Sequence, residues 1–281
     1  MPTALMRTTK QAARWSSSEP PPPMTLPPPN LALRVCVVVT TRNEEELIGS
    51  CLRALAVQEG VSYDEYEILH VLDHCTDGTQ VRAREVAASY PALRLYSLDG
   101  PKKGSGHARR VGMENACNRL HAVGRPHALI SSTDGDTVVA TDWISAQLAA
   151  AERGARAIGG RIELADDGTV PEALLAWHLT RGASRYRKLL SEPEPSRRTE
   201  HWQFSGASMA LTAAVYQRVG GLEPRYVLED EQLERVLRRH GVPIERLLSV
   251  RVATSARLVG RAGRGLAHDF SAAAKTLNVD E

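Results

Sequence analysis

The chain has 281 residues, 42% of them hydrophobic and 24% charged, a globular composition that suits one large domain or two small ones. Its 35 basic and 33 acidic residues leave a formal net charge of +2, so no global field points to nucleic acid or to an anionic membrane surface. No run approaches the roughly eighteen apolar residues of a membrane span, which argues against integral membrane contact. Cys36, Cys51, Cys75 and Cys117 lack metal-type spacing and read as reduced thiols of a cytoplasmic protein.

Residues 1–30 stand apart. Ser16 to Ser18 lead into a Pro-rich stretch from Pro20 to Pro29, which lacks amide donors and favours extended conformations. A disordered leader is expected there. Arg7, Lys10 and Arg14 precede the first acid, Glu19, as in a transit peptide, but a floppy tail is the simpler reading.

From Leu31 strands and helices alternate. Val35 to Val39 is a β-branched run of buried-strand length. Glu44 to Ala56 reads as a helix, with Leu47, Ile48, Leu52 and Leu55 in one stripe and acids in the first turn. Strands follow at Tyr66 to Leu72, Leu93 to Tyr96 and Ala128 to Ser132, and helices at Thr79 to Ser89 and Ala108 to Leu120. This order predicts β-α-β units and a mostly parallel sheet, with ligands at the carboxyl ends of its strands. After Asp136 the alternation loosens. Helices are expected at Asp142 to Arg153, Glu172 to Leu190 and Glu229 to His240, and a strand at Ala155 to Leu164. We therefore expect one composite domain over residues 31–270, its halves meeting near Asp136, and a tail at 271–281.

The polar clusters fall at strand ends. Thr40 to Glu46 follows the first strand without the Gly-rich loop of a dinucleotide fold, and Gly104-Ser105-Gly106 lacks P-loop spacing. Asp73 ends the second strand and suits a base edge or ribose, whereas Asp77 and Thr79 are equally well explained as a turn with a helix cap. Asp134-Gly135-Asp136 sets two carboxylates on one side of an extended segment, and Gly135 is expected to let the backbone approach a ligand. Such hard oxygens suit Mg²⁺ or Mn²⁺. Glu229, Asp230 and Glu231 open a helix, where acids fit the macrodipole, yet one of them can also serve as a general base. Arg257, Arg261 and Arg264 lie in a Gly-punctuated segment suited to a diphosphate or a phosphorylated acceptor, or to a solvated tail. His268 is a metal candidate against the more ordinary structural role.

Taken in order, these pieces resemble the family 2 glycosyltransferases of the GT-A fold. The similarity rests on Val37 to Glu45, Asp73 to Thr79, Ala108 to Gly112, Asp134 with Asp136, Gly206 to Ala210, and Glu229 to Leu233. It implies an α/β fold whose mostly parallel, Rossmann-like nucleotide-binding sheet is continuous with an acceptor half, residues 31–136 and 137–270 respectively. It implies an inverting hexosyltransferase that moves sugar from a nucleoside-diphosphate sugar, UDP favoured through Asp73 and GDP possible, to a hydroxyl acceptor. Asp230 is the implied base. Thr41, Asn43, Glu45, Asp73, Lys103, Arg109, Asp134, Gly206, Arg257 and Arg261 are the expected substrate contacts. Asp136, Asp134 and His268 are the expected ligands of Mn²⁺ or Mg²⁺. A sugar-phosphate nucleotidyltransferase and a non-catalytic nucleotide- or carbohydrate-binding module are the competing readings. Trp177, Trp202 and Tyr226 are candidate sugar platforms.

Overall fold

A computed structural model describes residues 26–165, 170–192, 198–226, 228–257 and 265–277. The first half alternates β1 (Val35–Thr41), α1 (Ile48–Ala56), β2 (Tyr66–Leu72), α2 (Thr79–Ser89), β3 (Leu95–Asp99), α3 (Ser105–Ala122) and β4 (Leu129–Asp134). Then come β5 (Thr137–Val139), α4 (Trp143–Glu152), β6 (Ala157–Leu164), α5 (Glu172–Ser191), β7 (Met209–Thr212), α6 (Ala213–Arg218), α7 (Glu229–Arg239), β8 (Ile244–Thr254) and α8 (Leu266–Leu277). The strands form one sheet in the order β3-β2-β1-β4-β7-β6-β8-β5.

The expected parallel pairing holds through β3-β2-β1-β4. Beyond β4 the sheet is mixed: β7 runs antiparallel to β4 and β6, β8 runs parallel to β6 with a register shift at Gly160/Arg161, and β5 caps β8 antiparallel. Alternate residues of β1 supply the two faces. Val35, Val37 and Val39 join a core with α1, α2 and α4, while Cys36 and Val38 join one with α3, α6 and α7. A side chain at Gly112 would strike Val38 and Val71, so this glycine sets the close approach of α3 to the sheet. A smaller cluster of Leu174, Ala256 and Phe270 joins α5 to α8.

Several boundaries differ from expectation. The helix expected from Glu44 starts at Ile48 and has no acid in its first turn. The third strand is Leu95–Asp99 rather than Leu93 to Tyr96, and β5, β7 and β8 add three strands that the alternation does not announce. Residues 1–25 lie outside the described residues, but the last part of the expected leader belongs to the domain. Leu26 packs on the α3 core, and the Pro27 carbonyl accepts a 2.8 Å hydrogen bond from Arg119. At the other end α8 runs on past residue 270, burying Ala273 and Ala274, so the expected tail is largely helix.

Candidate active site

The carboxyl ends of β1, β2 and β4 open on a cleft of about 930 Å³. β1 ends in a turn that Asn43 takes at φ 55°, a conformation Asn tolerates better than most residues. That turn separates the neighbouring acids. Glu44 is buried and points into the cleft, where both its oxygens meet Arg257, at 2.8 and 3.0 Å. Glu45 turns away and accepts from the Gly78 amide at 2.9 Å, and the Asn43 side chain accepts from the Thr76 amide at 2.8 Å. Asn43 and Glu45 therefore knit the first loop to the second instead of lining the cleft. Glu44 takes the place expected for Glu45, and nothing in three consecutive glutamates signals which one faces in.

Thr41 lines the cleft floor, its hydroxyl 2.8 Å from His70. Asp73 is buried, and its two oxygens accept from the Lys102 and Gly104 amides at 2.6 and 2.9 Å. It pins the loop before α3 while bordering the cleft. Lys103 is exposed on that loop and does not line the cleft. Asp77 and Thr79 take the turn role rather than the cap, which is Gly78: Asp77 accepts from the Thr79 amide and hydroxyl, and Thr79 accepts from the Glu44 amide at 2.8 Å.

Asp134 and Asp136 both line the cleft. A side chain at Gly135 would strike the Thr41 methyl group, so this glycine answers to the neighbouring strand rather than to a ligand. Asp136 lies 2.8 Å from Arg257, which thus bridges Asp136 and Glu44. Burial first, then the negative charge of Asp134, pushes the Asp136 carboxyl up to about 6, although Arg257 works in the opposite direction.

Arg109, expected at the substrate, is buried in a set of protein partners. It reaches Asp134 at 2.6 Å, Glu229 at 3.0 Å, the Gly206 carbonyl at 3.0 Å and the Ser132 hydroxyl at 2.5 Å. A side chain at Gly206 would collide with that guanidinium. The Gly206 amide also donates to Asp230 at 3.2 Å, joined by the Ser205 hydroxyl at 2.8 Å and the Glu231 amide at 2.8 Å. Asp230 is thereby oriented in the first turn of α7, bordering the cleft. Glu229 is buried against Arg109, and desolvation raises its pKa.

Of the remaining candidates, Arg261 lies outside the described residues. His268 lines the cleft but is exposed and sits 3.7 Å from Asp269. Among the described residues no three His, Cys, Asp or Glu side chains form a metal cage, so His268 is not gathered with Asp134 and Asp136. Trp177 packs on Phe270, whereas Trp202 and Tyr226 reach the cleft.

A parallel half continuous with a mixed half, its strand-end carboxylates facing one cleft, is the architecture of the GT-A fold. The glycosyltransferase-like family 2 profile matches residues 29–271, and the chain belongs to that family. It is an enzyme, a glycosyltransferase. Among solved structures, S. aureus TarS 1-349 in complex with UDP-GlcNAc aligns with a TM-score of 0.59 at 17% identity, covering 88% of this chain and 66% of that one. Mannosyltransferase PcManGT from Pyrobaculum calidifontis, in complex with GDP-Man and Mn²⁺, aligns with a TM-score of 0.58 at 20% identity, covering 93% and 69%. These likenesses show a shared fold. The chain spans 43% of a longer TarS structure. A search of curated proteins gives no significant match. No helix among the described residues is long and apolar enough to cross a membrane.

Proposed function

We propose that the chain is a metal-dependent, inverting glycosyltransferase that passes the sugar of a nucleoside-diphosphate sugar to a hydroxyl acceptor. The observation that carries this reading is Arg109. One buried guanidinium holds Asp134 on one side and Glu229, the neighbour of Asp230, on the other. Two carboxylate centres are thus kept in fixed relation within one cleft, as a displacement with attack and departure at one carbon requires.

The residues present fit a divalent ion. Glu44, Asp134 and Asp136 concentrate negative charge, burial and then that charge raise the Asp136 carboxyl, and Arg257 supplies the counter-charge. The incomplete protein ligand set suits Mg²⁺ or Mn²⁺, which complete their shell with water and phosphate oxygens. Asp136 and Asp134 are the residues assigned to hold it. Bound there, the ion supplies Lewis-acid stabilisation of the departing diphosphate. Asp230 takes the acceptor hydroxyl's proton as its oxygen bonds to the anomeric carbon and the bond to the diphosphate oxygen breaks. Asp73 keeps lone pairs free for a base N–H, which favours a UDP sugar, with GDP sugars the alternative. TarS is described with UDP-GlcNAc and PcManGT with GDP-Man.

Thermal-shift titration of UDP and GDP, each with and without Mn²⁺, tests this. Metal-dependent stabilisation is expected in the parent and is lost in Asp136→Ala. Asp230→Asn is expected to keep it while turnover falls about a hundredfold or more. Near-parental turnover in Asp230→Asn, or retention of the donor's anomeric configuration, sinks the mechanism.

A further inference from the structure

The cleft extends well beyond the strand ends, along one face of α5. The residues of that face recur at helical spacing: His178, Arg181, Gly182, Arg185, Lys188 and Leu189. The charges around it do not cancel. Asp269 is paired with Arg181 at 2.5 Å, Glu192 with Arg238 at 2.6 Å, Glu231 with Arg235 at 3.3 Å and Glu234 with Arg246 at 2.7 Å. Each carboxylate on this wall already has its own cation. Arg185 and Lys188 are in ion-pair contact with no acid among the described residues.

Arg185 is also placed rather than loose. Its guanidinium lies 4.7 Å from the centre of the Trp202 ring, a cation–π contact. Trp202 in turn abuts Gly182, where any side chain would meet the indole nitrogen. Glycine at 182 therefore lets the ring sit close to the helix, and the ring presents the guanidinium to the cleft. Partial burial, then the charge of Arg181, lowers the Arg185 pKa, while Asp269, Glu231 and Glu234 work in the opposite direction. The stacked guanidinium keeps its N–H edge open, the geometry that suits a planar or tetrahedral oxyanion.

We infer that the α5 wall is an oxyanion subsite, in which Arg185, stacked on Trp202 and helped by Lys188, holds a phosphate or carboxylate group of an acidic acceptor. The inference rests on the glycosyltransferase reading for the word acceptor, but not for the anion. It narrows the acceptor from any hydroxyl compound to one that carries negative charge near the hydroxyl to be glycosylated.

Calorimetric titration with glucose 1-phosphate, glucuronate and glucose tests it, on the full chain and on Arg185→Gln and Arg185→Lys, with UDP and GDP titrated alongside in the presence of Mn²⁺. At least one acidic sugar is expected to bind the parent about tenfold or more tighter than glucose, and the tighter of the two assigns phosphate or carboxylate. Arg185→Gln is expected to remove that preference, Arg185→Lys to keep part of it, and nucleoside-diphosphate affinity to stay within about twofold. Acidic sugars that bind no better than glucose, or an Arg185→Gln variant that binds them as the parent does, overturn the subsite. If UDP and GDP both fail to bind the parent, the transferase reading falls instead, and the effect of Arg185→Gln on the acidic sugars still decides the subsite.

Discussion

Arg109 makes four hydrogen bonds from a buried position, two of them to carboxylates. Removing it strands Glu229, itself 5% exposed, as an uncompensated buried charge. Arg109→Met is expected to cost about 3–5 kcal/mol in urea denaturation. Arg109→Lys recovers little, because one ammonium cannot span Asp134, Glu229 and the Gly206 carbonyl as a planar fork does. The adjacent glutamates give a sharper contrast. Glu44→Gln loosens Arg257 and is expected to weaken Mn²⁺ binding about ten- to a hundredfold in calorimetry. Glu45→Gln touches only the Gly78 contact, so it should leave Mn²⁺ binding alone and lower stability by about 1 kcal/mol. The Asp134/Asp136 pair is legible in the chain because strand-end spacing places both carboxylates on one side, whereas helix-start spacing leaves three consecutive acids open and only the family resemblance singles out Asp230. Glu44 is not legible, because its inward aim depends on the left-handed turn at Asn43, a tertiary choice with no local period.

Among elements, β1 is readable because it is buried on both faces and apolar from Val35 to Val39. β2 and β4 are almost equally buried, and their apolar residues mark them although Glu67, His70, Ser131, Ser132 and Thr133 interrupt the run. β8 escapes notice for the opposite reason: Glu245, Arg246 and Arg251 break any alternation. α1 starts late because the Glu44 and Glu45 amides donate to Thr79 and Asp77 on the next loop. β2 carries a hidden acid sensitivity. Burial pushes His70 down to about 4 from an ordinary 6.5, and burial does the same to His201. Both are neutral in folded and unfolded chains above pH 6.5. As pH falls toward 4 only the unfolded chain takes up the protons, so stability declines across that window and levels off below it. Denaturation midpoints at pH 7.5 and 5 should show a loss of about 1–2 kcal/mol per histidine, and His70→Gln should remove its share of that dependence.

At the scale of the whole molecule the Pro-rich segment is divided between what composition predicts and what packing claims. Arg119 joins Glu67 through two hydrogen bonds, stacks over Tyr96 at 5.3 Å and donates to the Pro27 carbonyl. A chain beginning at Leu31 loses that acceptor and the Leu26 contact over an otherwise buried ion pair. It is expected to be about 1–3 kcal/mol less stable than a chain beginning at Thr25, read as a lower melting temperature. Equal melting temperatures would show that residues 26–30 add nothing to the fold.

The bridge from Arg257 to Glu44 spans 213 residues of sequence. During synthesis β1, β2 and β4 leave the ribosome long before the cation that bridges Glu44 and Asp136 exists. Arg109 is already present to serve Asp134, but until residue 257 arrives Glu44 and Asp136 lack their guanidinium partner, and closing so long a loop carries an entropy cost that grows with the logarithm of its length. The nascent enzyme thus passes through a stage in which its nucleotide half is complete in sequence and electrostatically unfinished.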